Sequence, residues 1–214
     1  MLELGASWLV QAVGLFVAAL CIRLSMCLPA YKSRRWTHVK GCARTLLVFG
    51  SGGHTTEMLM LVEKLPRDRF GPVDCVLAQS DKTTMAKVEA SRIDSLQSCT
   101  WHTVFRSREV KQGWASTLLT SLYALLQSFL LVLRTRPRLI ICNGPGTCVP
   151  ICYAAFLYNL LGVTCTQIVF VESFCRVQKL SLTGRLLYYI ADRFVVQWQQ
   201  LADKHPRAEM LGQL

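Results

Sequence analysis

The sequence predicts an α/β protein: a Rossmann-like parallel sheet with helices on both faces, preceded by one transmembrane helix. Three observations lead there. Short apolar strands alternate with helical patterns over 45–198, two strands empty into glycine turns, and a long apolar run occupies the N-terminus. Strands that alternate with helices in this way build a parallel, doubly wound sheet.

The apolar run comes first. Residues 5–22 are apolar except for Ser7 and Gln11, and Leu24 to Leu28 extend the run past Arg23. That is long enough to cross a bilayer with some tilt. No basic stretch precedes it, as a cleavable signal would require, so the segment reads as a retained anchor over 1–30. Lys32, Arg34, Arg35, Lys40 and Arg44 make 31–44 a basic juxtamembrane segment, which the positive-inside rule assigns to the cytosol together with everything after it.

The first strand, Leu46 to Phe49, runs into Gly50-Ser51-Gly52-Gly53-His54-Thr55-Thr56-Glu57. The apolar spacing of Met58, Leu59, Leu61, Val62 and Leu65 predicts a helix with Thr55 or Thr56 as N-cap, stopped by Pro66. Val73 to Gln79 reads as the second strand, Lys82 to Ser91 as a short helix and Trp101 to Phe105 as the third strand. A long apolar helix covers Trp114 to Arg134, and Leu139 to Cys142 is a fourth strand ending in Asn143-Gly144-Pro145-Gly146. A helix over 148–161 tolerates Pro150 in its first turn and closes at Gly162. Gln167 to Val171, a helix over 184–191, and Arg193 to Gln197 complete a domain spanning 45–198. The remainder, 199–214, reads as a short amphipathic tail suited to docking on a partner.

Glycine turns at strand ends point backbone N–H groups at an anion, and the first turn of the next helix adds unpaired donors and a positive dipole end. The common nucleotide loops fit poorly. A dinucleotide fingerprint beginning at Gly50 meets Thr55 where its third glycine belongs, and Gly53 is followed by His54 rather than the lysine of a Walker loop. Ligands of open α/β sheets bind beyond the carboxyl ends of the strands. Both glycine turns, Arg106 and Arg108 after the third strand, and Glu172 with Ser173 after the fifth all fall on that rim, which suits a diphosphate.

The net charge of +11 points to anionic headgroups or a phosphorylated substrate. Nucleic acid is disfavoured, because no recognised module and no basic helix with stacking aromatics is present. The ten cysteines include no CxxC pair and read as reduced, buried small hydrophobes. No clustered acidic, histidine or cysteine set predicts a metal site.

Four motifs in order carry a family resemblance: Gly50 to Glu57, Arg106 to Val110, Cys142 to Pro150, and Val171 to Ser173. Together they resemble the family of asparagine-linked glycosylation protein fourteen, from the anchor to the C-terminus. The resemblance implies a membrane-anchored subunit of a two-subunit UDP-N-acetylglucosamine transferase on the cytosolic face of the endoplasmic reticulum membrane, with a single pass. It adds the second, β-1,4-linked N-acetylglucosamine to a dolichol-diphosphate-linked acceptor. The implied partner is a soluble donor-binding subunit, asparagine-linked glycosylation protein thirteen, which would hold the UDP-sugar, leaving this chain without a cofactor of its own. The preceding enzyme of the pathway is a further partner consistent with the family. The pair resembles a split version of the bacterial lipid II-forming transferase, this chain being the N-terminal, acceptor half of a GT-B fold. Length agrees, since the residues after the anchor suffice for about one Rossmann-like domain.

Carried over by residue, Gly50, Ser51, Gly52, Gly53 and Thr55 match the family's first acceptor loop, and Asn143, Gly144 and Gly146 its second. Arg106 and Arg108 are candidate diphosphate clamps. Glu172 falls where the bacterial relative has a His-Glu-Gln-Asn run, but here its neighbours are Val171, Ser173 and Phe174. The acceptor hydroxyl must lose a proton as it attacks the anomeric carbon with inversion. His54 is the candidate base or phosphate ligand, and Glu172 the alternative base. The competing reading is a membrane receptor that recruits the soluble subunit without taking part in acceptor chemistry.

Overall fold

The computed structural model of the chain describes residues 2–29, 42–66, 68–106, 114–210 and 212. Seven strands form one sheet: β1 (Ala43–Val48), β2 (Phe70–Ala78), β3 (Thr100–Val104), β4 (Leu139–Cys142), β5 (Gln167–Val171), β6 (Arg193–Val196) and β7 (Ala208–Met210). Their order is β3-β2-β1-β4-β5-β6-β7, and every neighbouring pair is parallel. The chain winds outward from β1 to β3, returns, and winds outward the other way from β4. Leu47 pairs with Cys75 on one side and Ile141 on the other, so β1 and β4 are the strands between which the order reverses.

The helices are α1 (Leu2–Cys27), α2 (Gly53–Glu63), α3 (Thr84–Ser91), α4 (Asp94–Gln97), α5 (Trp114–Thr135), α6 (Cys148–Leu160), α7 (Leu182–Leu187) and α8 (Gln199–Lys204). Period-two alternation assigns them to two layers. Leu47, Phe49, Cys75 and Leu77 pack under Met58 and Val62 of α2, Val88 of α3 and Leu96 of α4. Leu46, Val48, Ile140, Cys142 and Phe170 face the other way, against Val132 of α5, Ile151 and Ala155 of α6 and Leu187 of α7. The expected doubly wound sheet is therefore the observed one.

Three elements differ from expectation. The seventh strand comes from the segment read as a tail. β7 pairs with β6, Arg193 is ion-paired with Glu209, and Arg207 donates to the carbonyls of Tyr188 and Ala191. The helix after β1 starts three or four residues earlier than expected: Gly52, at φ 69°, is the N-cap of α2, and Thr55 lies inside the helix, fully buried. A backbone at that φ favours glycine over any threonine cap.

The third difference concerns the N-terminal helix. α1 is 26 residues long, and its C-terminal end is part of the domain rather than separate from it. Arg23 donates from Nη2 to the Asn159 carbonyl at 2.9 Å and from Nε to the Leu160 carbonyl at 3.2 Å, and Cys27 is buried in the core. The guanidinium thus caps the last carbonyls of α6, where the helix dipole favours a cation. Arg23→Ala is expected to speed hydrogen exchange in the last turn of α1 about tenfold, with little change in global melting. Before that seat, Leu15, Phe16, Val17, Leu20 and Ile22 are exposed. Among the described residues no helix is long and apolar enough to cross a membrane, and the apolar run 5–22 is only partly covered by described side chains. Lys32, Arg34, Arg35, Lys40 and Lys111 lie outside the described residues.

All ten cysteines are free. Cys27, Cys75, Cys142, Cys148 and Cys152 are buried as expected, whereas Cys21, Cys42, Cys165 and Cys175 are exposed.

Candidate active site

A cleft of about 220 Å³ opens at the carboxyl ends of β1 and β4. Its walls are the two glycine turns: Gly50, Ser51 and His54 from the first, and Gly144, Gly146 and Thr147 from the second. Arg106, beyond β3, and Asp81, beyond β2, complete it. The turns approach so closely that side chains are excluded. A Cβ on Gly50 would stand 2.7 Å from Pro145, and Gly144, at φ +73°, has its Cα against the His54 imidazole, where a Cβ would overlap Cε1.

The starts of α2 and α6 both border this cleft, so two sets of first-turn N–H groups and two positive dipole ends meet there. The polar side chains beneath are ordered by one another. Thr55 Oγ1 bonds the Gly50 carbonyl at 2.5 Å and lies 2.9 Å from Thr84 Oγ1. Thr84 in turn donates to Asp81 Oδ2 at 2.5 Å. Asp81 also accepts from the backbone N–H groups of Thr83 and Thr84. Burial opposes ionisation of Asp81, but these bonds hold its pKa below the ordinary aspartate value. Lys87 Nζ donates to the Gly52 carbonyl at 2.8 Å, bracing the turn from α3.

A second carboxylate organises the other side. Glu57 Oε1 accepts from Ser173 Oγ at 2.7 Å and from the Phe174 N–H at 3.2 Å. Its Oε2 accepts from Asn143 Nδ2 at 3.2 Å and stands 3.5 Å from His54 Nδ1, an ion-pair separation without hydrogen-bond alignment. Asn143 Nδ2 also donates to the His54 carbonyl at 2.8 Å. Burial would raise the Glu57 pKa, but His54, Ser173 and the Phe174 N–H outweigh it and hold the carboxyl below the ordinary glutamate value. A depressed carboxylate contributes stability above its unfolded pKa and loses it as pH falls through the folded one, so this brace weakens on acidification.

The expected site residues divide accordingly. Gly50, Ser51, His54, Arg106, Gly144 and Gly146 share the cleft. Gly52 and Gly53 shape the start of α2 at its edge, Asn143 is buried beneath, and Thr55 is spent on the turn's own carbonyl. Arg108 lies outside the described residues. Glu172, expected as an alternative base, is fully buried and turned away. It accepts from the Ser181 N–H at 2.9 Å, Ser181 Oγ at 3.1 Å and the Ser173 N–H at 3.1 Å, and Gly184 packs against its Oε2. These bonds fix the connection from β5 into α7.

Glu57 and Thr147 were missed as site residues. Glu57 lies three residues after His54, a spacing that puts both side chains on one helix face. Thr147 follows the second glycine turn directly. Among the described residues, the buried side-chain polar atoms without a hydrogen-bond partner are His54 Nδ1, Asn143 Oδ1 and Thr147 Oγ1. All three belong to this site, where native proteins otherwise satisfy nearly every buried polar group. No group of three His, Cys, Asp or Glu side chains among the described residues is arranged to hold a metal ion.

A doubly wound parallel sheet with a cleft between two helix starts at the reversal point defines a Rossmann-like ligand-binding domain. Consistent with that class, a crystal structure of Acinetobacter baumannii MurG matches with a TM-score of 0.53 at 10% identity, covering 80% of this chain and 45% of that one. At that identity the likeness is one of fold, and the chain spans less than half of that structure. The chain belongs to the Alg14 family: the model described as "Oligosaccharide biosynthesis protein Alg14 like" matches residues 45–214. Among its relatives, the UDP-N-acetylglucosamine transferase subunit ALG14 of Mus musculus is 46% identical over 180 residues, 80% of this chain and 82% of that protein. The subunit of the same name from Candida albicans is 38% identical over 196 residues, covering 92% and 89%.

Proposed function

We propose that this chain is the membrane-anchoring, acceptor-binding subunit of an inverting UDP-N-acetylglucosamine transferase on the cytosolic face of the endoplasmic reticulum. The acceptor is N-acetylglucosamine on diphosphodolichol, and the product carries the second, β-1,4-linked N-acetylglucosamine. The names of the curated relatives support the transferase assignment. The observation that carries the acceptor role is the cleft itself: two helix starts, Arg106 and the Thr147 hydroxyl, which has no partner among the described residues, line a space suited to a diphosphate.

His54 is the proposed base. Its ring rests on Gly144 beside the cleft and is one-third exposed, so it can meet a sugar hydroxyl held next to the diphosphate. The donor nucleotide has no place in this reading on the chain itself and falls to the soluble subunit, asparagine-linked glycosylation protein thirteen. α1 is the proposed anchor. The part before its Arg23 seat, residues 2–22, corresponds to about 31 Å of helix, close to a bilayer core of about 30 Å. Leu119, Leu122, Leu126 and Leu130 form an exposed apolar stripe on α5, consistent with a domain held at a membrane.

The test is sugar transfer to a lipid-linked acceptor by the purified chain alone and by the reconstituted pair. Transfer is expected only from the pair, and His54→Ala is expected to lower it by about 100-fold or more at equal assembly. Full transfer by the single chain would remove the split-enzyme reading. An unaffected His54→Ala pair would favour a receptor that only recruits its partner.

A further inference from the structure

We propose that Glu57 is a positioning residue for the reaction, holding the His54 imidazole with Nδ1 toward its carboxylate and Nε2 left to take the substrate proton. This rests on the reading of His54 as base. The geometry comes from three strand ends. Glu57 is fixed by Ser173 and Phe174 beyond β5 and by Asn143 beyond β4, so its free direction is toward His54, one turn earlier on α2. Gly144 lies against the ring, where an added Cβ would overlap Cε1.

A neutral imidazole has one donor and one acceptor nitrogen, and the partner of one decides the role of the other. An ionised carboxylate 3.5 Å from Nδ1 favours the proton on that nitrogen. Nε2 then carries the lone pair. When the acceptor hydroxyl attacks the anomeric carbon, the bond from that carbon to the donor's UDP breaks and UDP leaves with the electron pair, while the hydroxyl's O–H bond breaks and its proton passes to Nε2. The imidazolium that forms is stabilised by Glu57, as in other carboxylate-oriented histidine bases. The carboxylate's depressed pKa keeps it charged for this task throughout the neutral range.

Other charges bear on His54. Arg106 and Asp81 line the same cleft from beyond β3 and β2, and Lys87 of α3 reaches the Gly52 carbonyl and Thr56 at the start of α2. Among these, the Glu57 carboxylate is the one at ion-pair distance from the ring.

The experiment compares wild type, Glu57→Gln, Glu57→Asp and His54→Gln in the full two-subunit complex, with assembly matched by co-elution and with kcat and the acceptor KM measured separately. Glu57→Gln is expected to reduce kcat at least about tenfold, with the acceptor KM within about threefold of wild type. Glu57→Asp should restore part of the rate. A rise in KM that accounts for the loss, or no recovery in Glu57→Asp, would make Glu57 a purely structural brace and overturn the proposal. If His54→Gln abolishes transfer while Glu57→Gln matches wild type, the proposal alone fails. If His54→Gln transfers normally, the base assignment fails first and takes this inference with it.

Discussion

Replacing Gly144 by alanine is expected to lower sugar transfer by the assembled complex about 100-fold while leaving both subunits folded and associated. Two effects act together. The residue sits at φ +73°, where a side chain costs about 1–2 kcal/mol. A Cβ would also overlap His54 Cε1 and stand 2.8 Å from Nδ1, so the ring must move. A displacement of about an ångström in a reacting group suffices for a loss of this size. Gly146→Ala supplies the comparison, because its Cβ would meet nothing within 4 Å. It should cost clearly less. Steady-state transfer at saturating acceptor, with melting curves for both variants, decides the matter. Equal losses for the two alanines would mean that contact between ring and glycine has no part in catalysis.

The second large effect separates structure from chemistry at Glu172. Glu172→Ala leaves the buried N–H groups of Ser181 and Ser173 without their acceptor. At about 1–3 kcal/mol for each orphaned group, the loss is about 2–6 kcal/mol, or about 4–24 °C in melting temperature. Glu172→Gln keeps one carbonyl oxygen in the same place and should lose less. The two variants give opposite signatures for the two roles. With a structural carboxylate, transfer per folded complex by Glu172→Gln stays within about tenfold of wild type, whereas loss of a true base removes about 100-fold or more. Calorimetry alongside transfer assays distinguishes them, and a stable but inactive Glu172→Gln complex would restore Glu172 as the base.

The parts of this protein that were legible in the sequence are those written in periodicity and punctuation. Six strands, the long helices and both glycine turns followed from apolar runs bounded by Gly and Pro, signals that act locally. β7 was not legible because Ala208, Glu209 and Met210 carry no strand pattern of their own. They become a strand by pairing with β6, with Glu209 held by Arg193. The start of α2 was misplaced because threonine is a good cap in general, whereas here the backbone of Gly52 decides and Thr55 serves the turn from inside. Glu172 was assigned to the rim from its position at a strand end. Which way a side chain leaves a strand end depends on what the next loop offers, and the Ser181 N–H and hydroxyl attract it inward. The opposite error left out Glu57, whose partners lie beyond β4 and β5, far away in sequence.

The capping of α6 by Arg23 ties two ends of the molecule to a common strut. α6 begins at the second glycine turn and ends at the carbonyls that Arg23 grips, and its 13 residues span about 20 Å. Under the anchoring by α1 proposed above, the cleft would be held at a fixed distance from the bilayer through this strut. The proposed lipid-linked acceptor would present its headgroup only within a narrow band of heights, and a rigid link between anchor and cleft would keep the two in register.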